Sequence, residues 1–300
     1  MIQIIGAGAI GCLWAATLQK SGHSCHLVSR HKQLTNTLHF TDLSANTTQF
    51  TISHGHHLLA TRLAEQQSAI LVCVKAPQVL DALLSQQPYI NKHQIIILMH
   101  NGYGCAEQVL KYFPNNPIIS ATTSNGSLLN GPLSITHTGA GPTYLGYFND
   151  PSQQIPIQLV KTLQDTMDDV HWSKDINSKC WLKLIINAAI NPLSAIQQIK
   201  NGQLRSSTYT KTIENIISES IAVAKAESIH FHVPTVLHTV NKVITATAEN
   251  YSSMNRDIHY QRPTEIEFIN GYLIKKALQH QIAVPTLSDL YHQIKKKECH

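Results

Sequence analysis

The strongest constraint on this chain sits at its start. Gly6-Ala7-Gly8-Ala9-Ile10-Gly11 follows the short apolar run Ile2-Gln3-Ile4-Ile5 directly and opens a helical pattern. A G-x-G-x-x-G in that strand–turn–helix setting is the mark of a dinucleotide-binding turn. The first glycine permits the tight turn. The second lets a pyrophosphate approach the backbone, and the third lets the helix lie close to the strand. The helix N-terminus then offers unpaired N–H groups to phosphate. Gly6, Ala7, Gly8, Ala9, Ile10 and Gly11 are therefore candidate cofactor contacts.

The rest of the first half extends this pattern. Apolar runs at 25–28, 69–74, 95–98 and 118–122 alternate with helical stretches, notably 11–20 and 78–86. Continuous Ile/Val/Leu runs separated by helices predict parallel strands buried on both faces. From Ser127 to Gly146, turn residues punctuate alternating segments, which predicts antiparallel edge strands. After about Trp172 the strand signals stop. Helical patterns follow from Ser178 onward, including 213–227 and 235–251. A further helix is predicted to open at Pro263, with Thr264 and Glu267 spaced as a capping box. The expected fold class is α/β: an N-terminal Rossmann-type dinucleotide-binding domain over residues 1–174, then a C-terminal all-helical domain over 175–300.

Composition narrows the partners. With 43% apolar and 14% charged residues among 300, a disordered chain is excluded. No run reaches the ~18 apolar residues of a membrane span. The first strand begins beside Met1, so no signal peptide is expected. The net charge of +5 is spread out, and the run Lys295, Lys296 and Lys297 suits a helix C-terminus. No basic stripe with stacking aromatics accompanies it, so nucleic acid is not an expected partner. Six cysteines without a C-x-x-C pair indicate a reduced compartment, and a cytoplasmic location is expected. His54-Gly55-His56-His57 lacks the helical spacing of a zinc site and reads as a surface loop, and no metal is expected.

The second strand discriminates between cofactors. It ends Val28-Ser29-Arg30-His31-Lys32, and no acid follows until Asp42. NAD sites place an acidic residue here to hold the ribose 2′-OH. An Arg would instead pair with a 2′-phosphate, which a carboxylate would repel. The reading is NADP(H), with Arg30 as main contact and Ser29 and Lys32 as helpers. Lys75, and Asn101 with Gly102, stand at the ends of the next two strands, where ligands of open α/β sheets bind.

Within residues 181–193 the only non-apolar members besides Pro192 are Lys183, Asn187 and Asn191. At i, i+4 and i+8 they rotate by only about 40° per step and form one stripe. A helix so apolar elsewhere should be buried, so the stripe is expected to line a wet cleft, where a lysine can donate a proton. Pro192 is expected to kink or end this helix. Asn250, Ser253 and Asp257, at i, i+3 and i+7, suggest a second polar stripe on a later helix. Glu265 falls in the first turn of the last of these predicted helices.

Together these residues resemble the ketopantoate reductase family. The likeness runs essentially end to end: the 6–11 loop, Lys75, His100-Asn101-Gly102, Lys179-Cys180-Trp181-Leu182-Lys183-Leu184 with Asn187 and Asn191, residues 248–254, and Pro263 to Gly271. The resemblance implies NADPH-dependent reduction of ketopantoate to pantoate in pantothenate synthesis. It implies that Lys183 is the general acid and that Glu265 supports the reacting group. It implies that Asn187, Asn191, Asn250 and Ser253 hold the substrate, with Ser253 facing its carboxylate, and that Asn101 lies beside both nicotinamide and substrate. His100 stands where many members carry Gln, and Tyr103 follows the Asn-Gly pair. A small-molecule substrate is the expected partner, with the chain a monomer or homodimer. Two alternatives stay open: a reductase of another branched 2-oxo acid, and a non-catalytic NADP(H)-binding sensor.

Overall fold

The apolar runs of the first half form strands, as their composition dictates. In the computed structural model, which describes residues 1–30, 35–59, 68–150 and 152–298, the chain divides into two units. One comprises Met1–His100 and Cys105–Ile176, the other Asn101–Gly104 and Asn177–His300.

The first unit holds twelve strands among its described residues: β1 (Ile2–Ile5), β2 (Cys25–Val28), β3 (Thr37–Thr41), β4 (Thr47–Thr51), β5 (Ser53–Gly55), β6 (Ala69–Val72), β7 (Ile95–Met99), β8 (Ile118–Thr123), β9 (Gly126–Gly131), β10 (Ser134–Gly139), β11 (Thr143–Tyr147) and β12 (Val170–Trp172). Helices α1 (Ala9–Lys20), α2 (Val79–Gln86), α3 (Cys105–Tyr112) and α4 (Ile157–Thr166) connect them. Eight strands form one sheet in the order β12-β11-β8-β7-β6-β1-β2-β5. Its β1, β2, β5, β6, β7 and β8 pair in parallel, and β11 joins β8 antiparallel. The α/β class read from the runs is the fold observed.

A second sheet, β4-β3-β10-β9, includes two strands that the sequence reading missed, β3 and β4. They are Thr-rich and mostly half-buried or exposed, so no apolar run marks them. Their partner is α1, where every residue from Gly11 to Leu18 is buried. Trp14 shares one core with Leu27 of the large sheet and with Leu38, Phe40 and Ile135 of the small one. A helix apolar on all sides needs cover on all sides, and the small sheet supplies it.

The residues after Trp172 are helical: α5 (Ile176–Gln197), α6 (Ser207–Ala226), α7 (Val233–Ala246), α8 (Ser253–His259), α9 (Asn270–Gln279) and α10 (Pro285–Glu298). Trp181, Leu184, Ile185, Ala188 and Ala189 of α5 belong to this unit's core. Among the described residues, no helix is long and apolar enough to cross a membrane.

Three local expectations are corrected and one is narrowed. α5 does not end at Pro192 but continues to Gln197; Leu193, Ser194 and Ala195 beyond it are buried, and that packing outweighs the hydrogen bond which Pro cannot donate. α7 stops at Ala246, and Ser252 starts a new helix by accepting from the Asn255 N–H at 3.1 Å. The capping box at Thr264 does not form. Thr264 Oγ1 accepts from the Ile266 N–H and donates to Glu298, while Glu267 accepts from the Tyr291 hydroxyl. The stretch 54–57 is not merely a surface loop. His54 and Gly55 extend the large sheet as part of β5, and His57 stacks on Tyr89 with centroids 4.8 Å apart.

Candidate active site

On the first unit, the glycines behave as their spacing requires. Gly6 has φ +113°, a region closed to most side chains, and its N–H donates to the Val28 carbonyl at 2.9 Å. A Cβ at Gly11 would stand 1.9 Å from the Gly6 carbonyl oxygen, so only glycine lets α1 lie this close to the turn. A Cβ at Gly8 would meet no described atom within 4 Å. Gly8 heads α1, whose first turn has neither a side-chain cap nor an acidic residue. Its first N–H groups are left without intrahelical partners. Ala7, Ala9 and Ile10 complete this half-buried rim. The open space above Gly8 and the uncapped helix end fit a pyrophosphate.

Beyond β2, Ser29 is buried, its N–H donating to the Gly55 carbonyl at 3.0 Å, and Arg30 is exposed. Lys32, expected as a helper, lies outside the described residues. Lys75 is half-buried in extended backbone just before the 3-10 turn Ala76–Gln78.

On the second unit, α5 carries Lys183, Asn187 and Asn191 along one line, with Lys183 and Asn187 half-buried and Asn191 buried. Burial draws the Lys183 ammonium down to about 8, while Cys180 and Glu265 push it back up. The Cys180 thiol, one turn earlier, is itself raised to about 12 by burial, with Lys183 pulling the other way. Such a thiol stays protonated and is a poor nucleophile. The Asn187 Nδ2 is buried with no hydrogen-bond partner among the described residues. Leaving a donor so unsatisfied costs about 1–3 kcal/mol.

Glu265 is only 5% exposed. It precedes the 3-10 turn Ile266–Phe268, and its Oε2 accepts from Asn101 Nδ2 at 3.2 Å. Asn101 reaches it because residues Asn101–Gly104 pack within the helical unit. Gly102 has φ +84°, and a Cβ there would fall 2.6 Å from the Phe268 carbonyl oxygen. The Tyr103 N–H donates to that carbonyl at 2.8 Å. The Tyr103 ring packs on Tyr272 and Trp181 with centroids 5.0 and 5.6 Å apart, and its hydroxyl donates to Asn177 Oδ1 at 2.9 Å. Lys183, Glu265 and Asn101 thus form one electrostatic group.

Asn250 and Ser253 do not share a helix, contrary to expectation. Asn250 lies in the turn after α7, Ser253 is the first residue of α8, and both are exposed. Asp257 is buried and paired with Arg262 Nε at 3.2 Å, so its carboxylate belongs to a structural ion pair. The sequence reading missed the residues that hold this region. Ser252 and Ser194 hydroxyls meet at 2.7 Å, and Asn255 Nδ2 donates to the Ser194 carbonyl at 2.7 Å and the Ile199 carbonyl at 3.2 Å. The Asn201 N–H donates to the Asn250 carbonyl at 2.9 Å. Only the S-S-x-N pattern at 252–255 hints at an N-cap, and nothing local points to its partners.

Comparison with known proteins shows the family. Residues 2–150 match the family described as "Ketopantoate reductase PanE/ApbA", and residues 175–298 match its C-terminal part. The chain is 38% identical to a 2-dehydropantoate 2-reductase of Vibrio cholerae serotype O1 over 297 residues, covering 99% of this chain and 97% of that one. It is 35% identical to the protein of that name from Escherichia coli O157:H7, covering 99% and 95%. Among solved structures, D-mandelate dehydrogenase with NADH and anilino(oxo)acetate superposes with a TM-score of 0.89 at 25% identity, covering 100% and 99%.

Proposed function

The chain belongs to the ketopantoate reductase family, and from that premise we propose that Lys183 is the proton donor in the NADPH-dependent reduction of 2-dehydropantoate to pantoate. The carrying observation is an ammonium lowered by burial to about 8, on the same unit as a buried carboxylate that bears on it. An acid held near the working pH transfers its proton most effectively.

NADPH, when bound, supplies the hydride that the keto carbon accepts. Gly6, Gly8, Gly11 and the open end of α1, with Ala7, Ala9 and Ile10 as rim, would hold its pyrophosphate. Arg30 would hold its 2′-phosphate, and Lys75 and Asn101 are further cofactor contacts. Lys183 binds the keto oxygen, stabilises the negative charge that grows there and delivers a proton to it. Glu265 keeps that ammonium charged and oriented, and Asn101 fixes Glu265. Asn187 turns its unsatisfied Nδ2 to a substrate oxygen, and Asn191 continues the same line. Asn250 and Ser253 also hold the substrate, with Ser253 facing its carboxylate.

The polar line on α5 favours a hydroxylated substrate over a purely aliphatic one, since an unmet donor gains most from an added acceptor. The likeness to D-mandelate dehydrogenase keeps a second reading in play, reduction of another 2-oxo acid. Comparing kcat/KM for ketopantoate and 2-ketoisovalerate, each followed by NADPH absorbance, separates the two. Preference for 2-ketoisovalerate would reverse the assignment, and NADPH binding without turnover of any 2-oxo acid would favour an NADP(H)-binding role. For Glu265→Ala the expected outcome is a large fall in kcat/KM with cofactor affinity little changed. A cytoplasmic location is supported by the free thiols of Cys12, Cys25, Cys73, Cys105 and Cys180. The particle is a monomer or homodimer, which sedimentation distinguishes.

A further inference from the structure

The C-terminal helix makes two polar contacts that none of the chemistry above uses. Glu298 closes α10. Its Oε1 accepts from the Thr264 backbone N–H at 2.8 Å and from Thr264 Oγ1 at 2.6 Å. Its Oε2 accepts from Lys295 Nζ at 2.7 Å, which fixes the carboxylate from the other side. Two turns earlier on the same helix, the Tyr291 hydroxyl donates to Glu267 Oε2 at 2.6 Å. Thr264 immediately precedes Glu265, and Glu267 follows it by two.

The intervening turn is knit internally as well. Thr264 Oγ1 accepts from the Ile266 N–H at 3.1 Å, and the Glu265 carbonyl accepts from the Phe268 and Ile269 N–H groups at 3.0 and 3.1 Å. The far end of α10 is anchored by Glu219 of α6, whose two oxygens accept from the Thr286 and Leu287 N–H groups, both at 2.9 Å. Leu287, Leu290 and Ile294 are buried along its length. α10 is therefore a braced rod that meets the Glu265 turn through charge-assisted hydrogen bonds, the stronger kind.

We propose that Glu298 and Tyr291 are positioning residues: α10 grips the turn on both sides of Glu265 and sets its carboxylate against Asn101 and Lys183. The inference rests on the role given to Glu265 above. Side chains in the core have little freedom to re-aim, so an error in the turn passes to the carboxylate. A misplacement of about 1 Å can cost on the order of a hundredfold in rate.

The test uses the full chain with NADPH and ketopantoate. Glu298→Ala is expected to lower kcat/KM by about 10–100-fold with NADPH affinity unchanged. Glu298→Gln keeps an acceptor oxygen for Thr264 and should restore most of it. In a Glu265→Ala background, Glu298→Ala should cost less than about twofold, because the group it positions is gone. An equal loss in both backgrounds overturns the positioning role, as does Glu298→Ala with wild-type kinetics. Tyr291→Phe removes one hydroxyl and carries the same cycle where Glu298→Ala does not fold. Hydrogen exchange reads the grip without the chemistry: the amides of residues 266–269 should lose protection in Glu298→Ala, and unchanged protection overturns the proposal. Wild-type turnover by Glu265→Ala alone would instead end the role of Glu265, and the exchange result still decides whether α10 holds the turn.

Discussion

Lys183→Met is expected to make the protein more stable and nearly inactive. The structure holds this ammonium at about 8 against an ordinary 10.5. That difference corresponds to roughly 3 kcal/mol of preference for the neutral amine. The folded value lies below the unfolded one, so between about pH 8 and 10.5 the unfolded chain binds more protons and the fold gains stability as pH rises. Below pH 8 both states are protonated, and the fold carries the whole penalty. Methionine keeps an unbranched stem without the charge. At pH 7 its unfolding free energy should exceed wild type by about 1–3 kcal/mol, and the gain should shrink toward pH 10. Denaturant titrations at the two pH values measure this. In parallel, kcat should fall by at least about a hundredfold, while wild-type kcat/KM should decline as pH rises through about 8 and the acid is lost. A variant less stable than wild type at pH 7, or a wild-type profile flat to pH 10, would remove Lys183 as a burial-lowered acid.

Three further outcomes follow from the geometry. Arg30→Ala should raise the KM for NADPH by about tenfold or more and leave that for NADH nearly unchanged, since a charge-assisted phosphate contact is worth about 1.5–3 kcal/mol; equal losses for both cofactors would remove Arg30 from 2′-phosphate recognition. Gly102→Ala places a Cβ 2.6 Å from the Phe268 carbonyl oxygen at φ +84°, so kcat/KM for ketopantoate should drop at least about tenfold through displaced Asn101. Asn255→Ala strips donors from the Ser194 and Ile199 carbonyls and should cost about 1–3 kcal/mol in chemical denaturation.

What the sequence disclosed follows the range of the forces involved. The Gly6–Gly11 turn, the buried strands and the line from Lys183 to Asn191 are written in neighbours a few residues apart, where backbone geometry and helical period act. The small sheet escaped because β3 and β4 carry polar residues and gain order from α1 rather than from their own apolar content. The supposed stripe from Asn250 to Asp257 failed because Ser252 resets the helix, so spacing across it no longer measures angle. The partners of Glu265 were not legible. Its carboxylate meets Asn101, 164 residues earlier, and the Thr264 beside it is held by Glu298, 34 residues after Thr264. Nothing in a local window encodes such pairs.

The excursion of Asn101–Gly104 into the helical unit bears on how this chain can be cut and recombined. A fragment ending near residue 176 would carry Tyr103 away from Trp181, Tyr272 and Asn177, and the complementary fragment would keep an aromatic gap and a Phe268 carbonyl without its donor. Grafting a foreign helical half onto the first unit of this chain therefore means replacing these four residues as well. Hybrids joined only near residue 176 should lose activity, and restoring the matching tetrapeptide should recover it.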